Sequence, residues 1–138
     1  MGFHIRNAWL PYPRAFLREL VLDVERYPDF IEGCHAIELL SRHETMVWAR
    51  VTTSYGFSFV SKVVWSLFDI SIDSPTFKGH WTFKDEGKGT HVTFAITLVH
   101  PSFAQKRFFQ WMFPLASKKI FYSFTQRAHI LYTEENQR

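Results

Sequence analysis

Histidines, a single cysteine and several close pairs of carboxylates are the residues in this sequence whose types could do chemistry. The histidines are His4, His35, His43, His80, His91, His100 and His129, and no two stand at the short spacings that put two imidazoles on one face of a strand or helix. No metal site is therefore expected. His80 differs from the others in sitting beside Trp81 in a strand-like stretch, where a polar ring within an apolar pocket could orient a carbonyl group. Four acidic pairs, Glu25 with Asp29, Asp69 with Asp73, Asp85 with Glu86 and Glu134 with Glu135, fall near turns or the C-terminus. Water there keeps a carboxyl's acidity ordinary, so none reads as a tuned acid and base. Asp23 and Arg26, three apart on one helix, read as a surface or capping interaction. Cys34 is alone, which excludes an intramolecular disulfide, suits a reducing compartment and makes it a small apolar filler. With no glycine-rich phosphate loop and no nucleophile motif, the residues do not describe an enzyme.

Binding is left as the class of function, and the composition says of what kind. The chain has 138 residues and 16.4 kDa, the size of one domain spanning 1–138. Its 46% hydrophobic and 21% charged residues are those of a globular protein. Aromatic residues reach 18%, with 15 Phe, 5 Trp and 5 Tyr. At roughly 150–250 Å² of surface per ring, so small a domain cannot bury them all without a cavity they line or a patch they expose. Lys and Arg number 16 against 13 Asp and Glu, a net charge of +3, which is too mild to specify a nucleic acid; no DNA partner is expected. The aromatic parity of the sheet carries no Lys or Arg on the same face, so it does not read as a base-stacking platform. The N-terminus lacks an apolar export segment and a myristoylation signal, and no apolar run reaches the roughly 18 residues that span a bilayer. The expected location is cytoplasmic, with any membrane contact peripheral.

The elements that must position these residues follow from periodicity. Residues 3–10 read as a strand, ended by Pro11 and Pro13. From Arg14 to Arg26 the apolar residues Phe16, Leu17, Leu20, Val21 and Val24 recur at helical spacing, and Tyr27-Pro28-Asp29 opens a second short helix through Ile31 that Gly33 ends. Between Cys34 and Val99 the period changes to two, with breaks that imply five or six antiparallel strands. Phe57, Phe59, Val63 and Trp65 share one parity, as do Val92, Phe94, Ile96 and Leu98. Residues 103–133 read as one helix about 45 Å long, kinked at Pro114. Its first half, around Phe108 to Leu115, is apolar nearly all round.

This order of elements describes an α+β fold with helices on one side of a curved sheet. Here the residues carry a resemblance: the run from Phe16 to Phe30, with Asp23-Val24-Glu25-Arg26-Tyr27-Pro28 its most specific block, followed by Cys34, is similar to the coenzyme Q-binding START-like family and to bacterial ribosome association toxins. Residues 57–64, 77–83 and the helix from Phe103 to Tyr132 add weaker support. The sequence departs from that family in the shorter segment 72–81, with Ser74 where a turn glycine is usual, and in a more aromatic C-terminal helix.

The resemblance implies a helix-grip fold, a curved antiparallel sheet wrapped around a long C-terminal helix, enclosing an apolar cavity for a lipid or quinone and performing no catalysis. On that basis the expected sheet wall is Phe57, Phe59, Val63, Trp65, Trp81 and Phe94, with His80 as a polar contact. The expected helix wall is Phe109, Met112, Phe113, Ala116 and Ile120. Lys106, Arg107, Phe108, Trp111, Leu115, Lys118 and Lys119 would seat the cavity mouth on an anionic inner-membrane surface, with Pro114 as a gate. The implied role is a carrier or chaperone of ubiquinone or a polyprenyl lipid that supports respiration. No other cofactor is implied. The alternative is a ribosome-binding protein that blocks subunit association, using the same basic helix.

Overall fold

The computed structural model describes residues 3–75, 77–99 and 103–136, the side chains of 103–116 and 136 excepted. Among the described residues, seven strands and two α-helices follow one another. Strand β1 (Phe3–Leu10) leads to α1 (Arg14–Leu22), and a 3-10 turn (Val24–Asp29) leads to β2 (Cys34–His43). There follow β3 (Met46–Thr53), β4 (Ser58–Trp65), β5 (Asp69–Asp73), β6 (Phe77–Glu86), β7 (Gly89–Leu98) and α2 (Phe103–Asn136). The strands form one antiparallel sheet in the order β1-β7-β6-β5-β4-β3-β2. Six consecutive strands joined by hairpins thus carry the register outward from β7, and β1 closes the other edge. Two register shifts in β2 bend that edge of the sheet.

Alternation sorts each strand's residues between the two faces. In β3, Val47 and Ala49 are buried while Trp48 and Arg50 are exposed; in β6, Trp81 and Phe83 are buried while His80 and Thr82 are exposed. The buried parities form the inner face, which α1 and α2 cover. From α1 come Leu17, Leu20 and Val21, and from α2 come Phe121, Phe124 and Ala128. Near its C-terminal end α2 is fastened by rings. Tyr132 meets Tyr12 at 4.9 Å and Phe16 at 5.1 Å between centroids, and the Tyr12 hydroxyl lies 2.8 Å from His129 Nδ1. The Tyr12 carbonyl in turn accepts a hydrogen bond from the buried Thr90 hydroxyl at 2.8 Å.

Three expectations change in detail. The first helix stops at Leu22, not at Arg26: Asp23 leaves helical geometry at φ −81°, ψ 65°, its N–H still donating to the Glu19 carbonyl. The reason lies downstream, where Pro28 restricts Tyr27 and the chain needs a tighter turn to bring the Tyr27 ring under α2. The short helix expected to begin at Tyr27 is therefore the 3-10 turn Val24–Asp29, ahead of Phe30. In that turn the Arg26 guanidinium faces Asp29 at 3.9 Å, leaving Asp23 to cap through its carbonyl. Third, α2 extends to Asn136 and spans about 50 Å. Pro114 lies within it, and the gate expected there falls where side chains lie outside the described residues.

Candidate functional site

Between the inner face and α2 the sheet does not close. A cavity of about 140 Å³ remains, whose floor is Ala49 and Val51 of β3, Phe59, Ser61 and Val63 of β4 and Ile72 of β5. Phe77 and Trp81 of β6 and Phe94 and Ile96 of β7 form one side. Ile120 and Phe124 of α2 are the roof, and Val24, Tyr27, Ile31 and Cys34 close one end. On the other side of Trp81 and Phe124, against α1, the residual space is only about 10 Å³. The two side chains thus separate a solid core from a hollow one. The hollow has a local cause: the register opposes Ala49 to Ser61, so two small side chains meet where their strands' other inward positions carry Val47, Val51, Phe59 and Val63.

Rings stiffen the wall. Trp81 stacks on Phe94 with centroids 4.4 Å apart at 27° and meets Phe124 edge-on at 4.9 Å. Tyr27 and Phe30 meet the same Phe124 at 5.3 and 5.2 Å, near perpendicular. Such pairs add about 0.5–1.5 kcal/mol each beyond their burial, which holds these rings against one another.

The described lining carries no charged residue, and besides the Trp81 indole N–H its polar groups are three. The Tyr27 ring keeps some exposure but its hydroxyl is enclosed and donates to the Val21 carbonyl; burial above all, with smaller contributions from Cys34 and Asp23, holds its pKa well above the usual phenol range. Replacing Tyr27 with Phe leaves that carbonyl short of a donor and is expected to cost about 1–2 kcal/mol in urea unfolding. A cost below about 0.3 kcal/mol would remove this bond from the account. The Cys34 thiol, raised by burial to about 11, is neutral at physiological pH. Its alkylation by iodoacetamide at pH 8 is expected to run about 100-fold slower in the native protein than in urea, because thiolate is the nucleophile. Both groups have folded pKa values above their unfolded ones, so the stability they contribute is intact below about pH 9. It is lost as pH rises through 9 toward 11, where the unfolded chain releases the Cys34 proton first. The urea midpoint is expected to be flat from pH 7 to 8.5 and to fall above 9.

The third group is Ser61. The residue is 4% exposed, and Oγ has no hydrogen-bond partner among the described residues. An unpaired buried hydroxyl costs about 1–3 kcal/mol, so its position in an otherwise apolar hollow needs a reason. The two-residue alternation that puts Phe59 and Val63 on the expected wall also puts Ser61 there, and is the signal in the sequence that could have found it.

Of the expected wall, the cavity brings together Phe59, Val63, Trp81, Phe94 and Ile120. Phe57 is half-buried in the β3–β4 turn, where its carbonyl accepts from Thr53, and it does not reach the lining. Trp65, at the far end of β4, packs against the edge of the core instead. His80 must be corrected outright: with Gly79 and Trp81 facing inward, strand alternation turns it outward. There it lies 3.6 Å from Asp69 and borders an open surface trough of about 400 Å³ with Asp73 and Lys78. That trough is larger than the cavity, but it is open to water and lies across the sheet from the aromatic wall. The side chains of Phe109, Met112, Phe113 and Ala116 of the helix wall lie outside the described structure, as do those of Lys106, Arg107, Phe108, Trp111 and Leu115 of the rim. Lys118 and Lys119 are exposed, and Lys119 reaches Glu32 at 3.4 Å, next to the cavity's Ile31. Val24, Tyr27, Cys34 and Phe124 line the cavity without having been expected to, because their place depends on how the 3-10 turn docks on α2.

Comparison with known proteins agrees with this architecture. A family model described as polyketide cyclase / dehydrase and lipid transport matches residues 10–120. The ribosome association toxin RatA of Pseudomonas aeruginosa is 32% identical over 143 residues, covering 96% of this chain and 99% of that protein. The Zhui aromatase/cyclase of a Streptomyces species superposes with a TM-score of 0.80 at 12% identity, over 92% of this chain and 93% of that one. A STAR-related lipid transfer protein of Xanthomonas axonopodis gives 0.77 at 12% identity, over 92% and 85%. The last two likenesses speak for the fold alone, and that fold is the expected helix grip.

Proposed function

Because the chain belongs to the polyketide cyclase / dehydrase and lipid transport family, we propose that it holds a hydrophobic small molecule between its sheet and its C-terminal helix. The ligand we assign is ubiquinone or a related polyprenyl lipid, and the role is that of a carrier or chaperone supporting respiration, without catalysis. The observation that carries this reading is the cavity itself, walled by Trp81, Phe94 and Phe124 and free of charge among the described residues. Its volume decides how such a ligand sits. About 140 Å³ is close to the roughly 150 Å³ that accommodates a benzene-sized guest and below the 300–1,000 Å³ of a pocket that swallows a whole drug-sized molecule. The ring of a quinone enters, and its prenyl tail leaves along α2. The protein works in the cytoplasm and meets the inner membrane peripherally, with the basic residues of α2 toward anionic headgroups; among the described residues no helix is long and apolar enough to cross a membrane. Solvent extraction of natively purified protein, followed by mass spectrometry, is expected to recover a prenylated quinone or similar lipid near one per chain. Recovery of none from protein made in quinone-replete cells would count against the ligand.

A second reading is favoured by the 32% identity, over 96% of this chain, to a ribosome association toxin. In it the basic face of α2, including the exposed Lys118 and Lys119, binds ribosomal RNA and keeps subunits apart. Gradient sedimentation separates the readings. A shift toward free subunits on overexpression that is lost in Lys118→Glu/Lys119→Glu but kept when the cavity is filled would favour the ribosome.

A further inference from the structure

We propose that Ser61 Oγ is the cavity's hydrogen-bonding anchor, selecting a neutral aromatic or quinonoid ring that carries a carbonyl or hydroxyl oxygen. This rests on the reading of the cavity as a ligand site and adds what the site recognises. Ser61 is buried among Phe59 and Val63 on its own strand and Ala49 across the register, and none of these side chains can satisfy its hydroxyl. Buried hydroxyls in folded proteins are nearly always paired, and this one has no partner among the described residues although it borders a space large enough for a ring. The other polar groups of the described lining do not compete for a ligand in the same way. Tyr27 already donates to the Val21 carbonyl, the Cys34 thiol is a weak donor, and the Trp81 indole N–H donates but cannot accept. A serine hydroxyl both donates and accepts, so it serves a carbonyl or a hydroxyl equally. A carboxylate would enter without a cation in the described lining to meet it, and its desolvation would go uncompensated.

Calorimetric titration with four ring-sized probes tests this: toluene, p-cresol, acetophenone and benzoate. Wild type is expected to bind p-cresol and acetophenone about 5- to 10-fold more tightly than toluene, the effect of one hydrogen bond, and benzoate more weakly than toluene. Ser61→Ala is expected to bring p-cresol and acetophenone level with toluene while toluene itself binds as before or better. The thermal midpoint of that variant should be at or above that of wild type, since an unpaired hydroxyl has been removed. Equal affinity of wild type for toluene and the oxygenated probes, or a preference that survives in Ser61→Ala, overturns the anchor and leaves the cavity standing. Failure of wild type to bind any probe overturns the ligand-site reading and the anchor with it.

Discussion

Trp81→Ala is expected to lower the unfolding free energy by about 3–5 kcal/mol, measured as a fall in the urea midpoint. Trp81 is 2% exposed and touches rings on both sides of the fold: Phe94 and Phe83 within the sheet, Phe121 and Phe124 on α2. It also stands between the packed core against α1 and the cavity, so truncation would join an existing hollow to a new one. Against a total stability of about 5–15 kcal/mol for a domain of ordinary kind, such a loss threatens folding at 37 °C. For this reason a defect in Trp81→Ala would say little about ligand. A cost under about 1 kcal/mol would mean that Trp81 does not partition the core from the cavity.

Ala49→Leu separates binding from stability. Ala49 is 2% exposed, its methyl faces the cavity and it sits opposite Ser61, at the point where the strands leave room. Overpacking a filled core costs about 1–3 kcal/mol, whereas here the added carbons enter space that already exists. The variant is expected to keep its stability within about 1 kcal/mol of wild type and to lose about 100-fold in affinity for any ring-sized guest. Destabilisation beyond about 3 kcal/mol would show that the space is not available to a side chain. Unchanged affinity would place the ligand elsewhere, with the trough beside His80 the first alternative to examine.

How far these positions could be read beforehand depends on the range of the interactions that set them. Alternation along β3 and β7 is local: it separates Val47 and Ala49 from Trp48 and puts Phe94 on the expected wall, and the helical spacing of Phe124 and Ala128 likewise turns both toward the sheet. The same alternation turns His80 away from its sequence neighbour Trp81, so adjacency in sequence does not make it a wall residue. The end of α1 at Leu22 was hidden because the helical spacing of Val24 continues the stripe, while the tertiary demand to bury Tyr27 under Phe124 overrides it. The cavity's size was out of reach for a further reason. It arises from the pairing of Ala49 with Ser61, which depends on the register of a hairpin and on Gly56 at φ +92° in its turn. An excess of rings signalled that a hollow or a patch was needed, but only the register says where two small residues meet.

Whether this hollow receives the ring of a hydrophobic ligand is decided by thermal unfolding in the presence of a ubiquinone bearing one isoprene unit. At 100 times the dissociation constant, ligand that binds only the folded state adds about 2.7 kcal/mol. For a domain of this size that raises the midpoint by roughly 5–10 °C. Wild type is expected to show that rise in proportion to the logarithm of quinone concentration, and Ala49→Leu to show almost none. A wild-type midpoint that does not move, or one that moves equally in Ala49→Leu, would contradict the account.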